Sequence, residues 1–269
     1  MLEIFKENFI QTALLGGVIT ASLCAYLGVF VILKRVVFMG VALSQVAALG
    51  VALGLFIGIN PAMGAFILTL FALILFWMPF AEKNISREAL LGFVYAFCAA
   101  SSILLIAKNP LAEARGLNLI SGNLLYTTWQ DIKMLTIVSI LIIMLHALFF
   151  KEFIFVSFDR ETALTTGLKA NLLDFLLYLT IGIVISLSMK ICGVIFVFAS
   201  LVVPAMTGLI LVKRIPFIFI ASCLIAALCV FFGIGFSYWW DWPSGPTIVV
   251  LYGLVFIVIL GIKSVLAKK

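Results

Sequence analysis

The side chains most used for acid–base and metal chemistry are few: one histidine, five cysteines and eleven carboxylates. His146 stands between Leu145 and Ala147 in an apolar stretch. A lone imidazole cannot form the two-histidine H-E-x-x-H site of a metalloprotease, and this one reads as packed or hydrogen-bonded to a neighbouring carbonyl. Cys24, Cys98, Cys192, Cys223 and Cys229 lie within or at the edges of apolar runs, without C-x-x-C or Cys/His spacing, and read as small buried hydrophobes. There is no G-x-S-x-G nucleophile elbow. Nor is there a G-x-x-x-x-G-K-[ST] loop to cradle phosphates, since Gly261-Ile262-Lys263-Ser264 lacks the preceding glycine spacing. Ion-coupled carriers place ionisable groups deep in the membrane. Here Asp174 lies one turn inside an apolar run and Asp131 with Lys133 opens another, which makes no proton relay. What remains is a conduit whose energy comes from a partner; a self-sufficient secondary carrier or channel is the alternative, and an intramembrane enzyme is disfavoured.

The elements that must position these residues are membrane spans. Apolar residues make up 65% of the chain and charged residues 10%, against roughly 25% charged in a soluble domain. Apolar runs at 9–33, 36–58, 62–80, 89–107, 131–150, 172–190, 193–212, 216–238 and 246–262 predict an all-α polytopic bundle of about nine spans. All of 1–269 reads as one transmembrane domain, without room for a soluble enzyme domain. The first run is too long for a signal-peptide core and is expected to stay in the mature protein.

The net charge of +6 resolves by side. Lys34, Arg35, Lys83, Arg87, Lys151, Arg160, Lys169, Lys213, Arg214, Lys263, Lys268 and Lys269 fall on one side, and Lys6, Lys108, Arg115, Lys133 and Lys190 on the other. The positive-inside rule then puts the N-terminus outside and the C-terminus in the cytoplasm. The basic balance is topology, so no nucleic-acid partner is expected. The cluster Tyr238-Trp239-Trp240-Asp241-Trp242 marks the outer interface with membrane lipid. Between Lys108 and Gln130 the apolar stretch 117–126 is too short to span and reads as re-entrant or surface-lying. Small residues at Gly16-Gly17, Ser22, Ala47-Ala48, Gly50 and Gly54-x-x-x-Gly58 predict close packing of helices within the chain.

The longest polar interruption, 157–169, carries complete helix punctuation. Asp159 is an N-cap, Glu161 falls in the first turn and Gly167 lies just past the end. About seven residues at 1.5 Å each give a knob of roughly 10 Å. A conduit without its own motor needs such a feature on the cytoplasmic side.

Four stretches in order carry a family resemblance. Phe158-Asp159-x-x-x-Ala163-x-x-x-Gly167 with Leu172-Leu173-Asp174 resembles the coupling segment of the permease subunits of metal-ion ABC importers, the zinc, manganese and iron family related more distantly to cobalamin and siderophore permeases. Val37-Phe38-Met39-Gly40-x-Ala42-Leu43-Ser44, Gly193 to Val197 with Leu201-Val202-Val203-Pro204-Ala205, and Ser237-Tyr238 with Asp241-x-Pro243-Ser244-Gly245-Pro246-Thr247 are similar to the same family. The resemblance implies a type II importer permease in the bacterial plasma membrane, working as a homodimer. It also implies two cytoplasmic ATPase subunits, which use the ATP, and an extracytoplasmic metal-binding protein; this chain itself binds no cofactor. Phe158, Asp159, Glu161, Ala163 and Gly167 would engage the ATPase. The cargo implied is a divalent metal, zinc or manganese.

One position departs from the pattern. After Met39-Gly40 the family commonly carries Asp and, four residues on, His, a pair on one helix face suited to a divalent cation. This chain has Val41 and Gln45. The ligands then come from elsewhere, the ion passes with looser coordination, or the cargo is a chelate or another small solute. Ser44, Gln45, Ser200 and Pro204 are path candidates; interhelical hydrogen bonding is the other reading for the first two, and a packing kink for the proline. Asp241 and Ser244, in the loop to Thr247, either shape the outer mouth, contact the binding protein, or belong to an interfacial turn.

Overall fold

The computed structural model describes residues 8–77, 86–108, 124 and 127–266, and every regular element among them is a helix. In chain order these are α1 (Asn8–Leu33), α2 (Val37–Ile57), α3 (Pro61–Trp77), α4 (Arg87–Ala107), α5 (Trp129–Leu148), α6 (Phe150–Phe158), α7 (Arg160–Thr165), α8 (Ala170–Cys192), α9 (Val194–Leu211), α10 (Ile215–Trp240) and α11 (Ser244–Leu266). Lipid offers no partner to a backbone N–H or C=O, so a spanning segment must satisfy them internally as a helix. Among the described residues eight helices are long and apolar enough to cross a membrane, and α3 is a shorter apolar one. The all-α polytopic architecture of about nine spans is as expected.

Three boundaries differ from the sequence-based reading. The interruption after residue 150 holds two helices rather than one, because α6 buries Phe153 and Val156 although Lys151 and Glu152 head it. Helix α10 runs on through the aromatic cluster to Trp240, where Trp240 lies 5.3 Å from both Phe236 and Trp242. Helix α8 continues through Lys190 to Cys192, and the break before α9 is Gly193 alone. The expected re-entrant segment falls almost wholly on 109–123, 125 and 126, outside the described residues.

The residues group into two compact units. One draws on Met1–Ile32, Asn118–Thr136 and Ile191–Lys269. In it α1 meets α9 where a Cβ on Gly28 would collide with the carbonyl of Leu201. Tyr26 and Phe30 of α1 close on Phe219 of α10, with ring centroids 5.0 and 4.9 Å away.

The other unit draws on Leu33–Leu117 and Ile137–Lys190. Its α2 and α3 approach through glycine: a Cβ on Gly50 would sit 2.5 Å from the Gly64 carbonyl oxygen. Gly54 packs against Pro61 in the same way, whereas Gly58 ends α2 in the left-handed region at φ +82°, its N–H bonded to the Gly54 carbonyl at 3.0 Å. The G-x-x-x-G pair therefore contains one packing glycine and one cap. Cys24, Cys98, Cys192 and Cys229 are buried and Cys223 is half-buried, and none of the five is in a disulfide.

Candidate functional site: the coupling knob and the ion cluster at its base

Helix α7 is a single capped turn and a half. Asp159 ends α6 and starts α7. Its carboxylate accepts from the Thr162 N–H at 3.0 Å and from the Thr162 hydroxyl at 2.5 Å. These bonds hold the Asp159 carboxyl below its ordinary value, the Thr162 hydroxyl contributing most. At the far end Gly167 takes φ +82°, and the N–H groups of Gly167 and Leu168 return to the carbonyls of Leu164 and Ala163. The predicted punctuation is all in place.

The five predicted coupling residues divide by exposure. Asp159, Glu161 and Gly167 are exposed, and Phe158 is 57% exposed. Ala163 is fully buried, so its methyl group fixes the knob to the protein instead of presenting it. Leu164, which the sequence reading did not single out, is exposed and is the second large apolar side chain on the surface of the knob.

Beneath the knob lies an ion cluster. Asp174, one turn into α8, receives Lys34 Nζ on Oδ1 and Arg160 Nε on Oδ2, the latter at 3.0 Å. The Lys34 and Asp174 side chains are 6% and 10% exposed, against 53% for Arg160. Arg160 also donates to Asn171 Oδ1 at 2.6 Å, and Lys34 Nζ stands 5.7 Å from the centroid of the Tyr178 ring. Taking two charges out of water is costly, and only close pairing repays it. The sequence separation of Lys34 and Asp174 hid this arrangement. Its one legible trace was a carboxylate placed inside an apolar helix, which requires a cation.

The path candidates fall in different environments. Ser44 is buried, and its hydroxyl donates to the Val41 carbonyl of its own helix at 2.7 Å. Val41 and Gln45 are half-buried on the stripe of α2 that carries exposed Phe38. Within the first unit, buried Ser200 donates to the Tyr252 hydroxyl at 3.2 Å. Pro204 is buried inside α9 and has no N–H to give to the carbonyl of Ser200 four residues earlier.

Of the outer-mouth candidates, Asp241 is exposed and caps α10 in the left-handed region at φ +51°. Ser244 is buried, and its hydroxyl accepts from the Leu124 N–H at 3.3 Å. His146 is fully buried, stacked on Phe153 with centroids 4.6 Å apart, and its Nε2 lies 3.1 Å from the Thr180 hydroxyl. That hydroxyl donates to the Leu177 carbonyl, so it accepts from the imidazole N–H. The imidazole is packed, one of the two expected arrangements, and Thr180 is a hydrogen-bond partner of its Nε2. Among the described residues no group of three or more His, Cys, Asp or Glu could hold a metal ion.

The same arrangement of helices occurs in known proteins. A "Probable iron transport system membrane protein" of Haemophilus influenzae is 29% identical over 96% of this chain and 91% of its own length. The "Manganese transport system membrane protein MntC" of Listeria monocytogenes is 28% identical over 95% of this chain and 91% of its own. The solved structure of PsaBC from Streptococcus pneumoniae in complex with Fab matches with a TM-score of 0.86 at 25% identity, covering 96% of this chain and 95% of that one. The model of the ABC 3 transport family matches residues 6–263, and the chain is a multi-pass membrane protein belonging to that family.

Proposed function

We propose that this chain is the membrane-spanning permease subunit of an ATP-binding-cassette importer that moves a divalent metal ion into the cytoplasm. The observation that carries the reading is the exposed, fully capped knob of Phe158 and α7 on a member of the ABC 3 transport family. ATP is hydrolysed by separate cytoplasmic subunits that grip the knob, and this chain contributes no catalytic residue. All of 1–269 serves as one permease domain. Two copies form the pathway in a bacterial plasma membrane, with the N-terminus outside and the C-terminus inside. An extracytoplasmic metal-binding protein delivers cargo at the end bearing Asp241.

Manganese or iron is favoured over zinc. Relatives carry manganese and iron transport in their names. The amide of Gln45 offers a neutral oxygen, which suits a hard ion better than zinc, whose sites use Cys, His and carboxylate. A second reading, import of a metal chelate, is favoured by Val41 and Gln45 standing where the resemblance implies an Asp–His pair, because a chelate needs no ligand from the wall.

The test is uptake by proteoliposomes holding the permease, its ATPase and its binding protein. Free manganese, iron and zinc and a chelated iron are offered with and without ATP inside. ATP-dependent accumulation of manganese or iron is expected. Uptake of the chelate alone selects the second reading. Uptake that proceeds without ATPase subunits means a secondary carrier or channel and contradicts both.

A further inference from the structure

We infer that the cluster of Arg160, Asp174 and Lys34 is the mechanical link by which movement of α7 reaches α2, with Asp174 as its positioning residue. The inference rests on the reading that α7 receives the ATPase. One carboxylate fastens two segments of the same unit to α8. Its Oδ2 holds Arg160, the first residue of α7, and its Oδ1 holds Lys34, three residues before α2 begins. Arg160 is tied to α8 a second time through Asn171.

The two arms are unequal. Lys34 and Asp174 are almost wholly enclosed, and the Lys34 ammonium stands beside the Tyr178 ring. A buried charge separated from its partner is left uncompensated, so these two groups must move together. Arg160 is about half exposed and can exchange its carboxylate for water at small cost. Displacement of α7 therefore loads the Arg160–Asp174 bond first, while the Lys34 arm stays closed and carries the change to α2. That helix brings Gln45 to the accessible stripe roughly 12 Å beyond its first residue, at 1.5 Å per residue. A buried ion pair is seldom kept for stability alone, because apolar residues of similar volume often replace it without loss. Here it joins three segments of which one is the exposed knob.

The test measures manganese uptake and ATP hydrolysis together in the reconstituted permease–ATPase complex with its binding protein. Arg160→Met removes the breakable arm at a half-exposed site, and Arg160→Lys keeps a cation there. The double variant Lys34→Met with Asp174→Leu replaces the buried pair by apolar side chains and leaves no buried charge unpaired, since Arg160, which loses its carboxylate, is half exposed and keeps Asn171. The double variant, which leaves α7 untouched, is expected to bind the ATPase and hydrolyse ATP as wild type does, and Arg160→Met is read per bound ATPase. Uptake per ATP should fall about fivefold or more in both, at the lower end of coupling between linked sites, and Arg160→Lys should recover part of it. If the double variant does not assemble, Arg160→Met carries the test. Wild-type uptake per ATP in Arg160→Met overturns the link, as does loss of uptake in step with loss of bound ATPase. A wild-type complex that takes up neither manganese, iron or zinc nor a chelated iron with ATP contradicts the importer reading itself, which separates the two failures.

Discussion

Asp159 accepts two hydrogen bonds from Thr162 and so holds a six-residue helix whose one buried side chain is Ala163. Its folded carboxyl value lies below the ordinary one of 3.8. The cap is therefore fully present above that value and is lost as pH falls through the lower, folded one. Asp159→Ala should abolish amide protection at Thr162 and Ala163 in hydrogen exchange at neutral pH and leave the amides of α8 unchanged. Equal protection in the variant would mean that the cap does not hold α7. The cap residues were legible because capping is local chemistry read over a few positions. Lys34 was legible only as a topological charge, because its partner lies at the start of another span and no local pattern joins them. Ala163 was expected to engage the ATPase and is buried, while Leu164, of which nothing was expected, is exposed, since exposure along so short a helix depends on what lies beneath it.

Among the elements, α1 and α9 come into close approach where Gly28 faces the Leu201 carbonyl, three residues before Pro204. Gly28→Val should destabilise the protein by about 1–3 kcal/mol or more through overpacking. Gly92→Ala, where an added Cβ meets nothing within 4 Å, should be neutral or slightly stabilising. Thermal dispersity in detergent distinguishes the two, and equal midpoints would refute the close approach. Apolar runs were readable as helices because each is long enough to span. Helix α6 was not: nine residues headed by a charged pair give no span signal, and only burial of Phe153 and Val156 stabilises them. The G-x-x-x-G spacing was visible, but whether a glycine packs or caps depends on the neighbouring helix, here α3 against Gly54.

At the scale of the whole molecule, the number of spans and the family came from patterns within single runs and from four motifs in order. The division into two units did not, since each is assembled from segments far apart in sequence. The central claim is that energy enters this permease through the exposed knob of Phe158 and Leu164. It is tested by measuring ATP-driven manganese uptake and bound ATPase in the same proteoliposomes for wild type and for Leu164→Asp, which places a charge on an exposed side chain and leaves the caps intact. The account predicts that the variant loses bound ATPase and uptake together. Full ATP-driven uptake by Leu164→Asp with undiminished ATPase binding would contradict it.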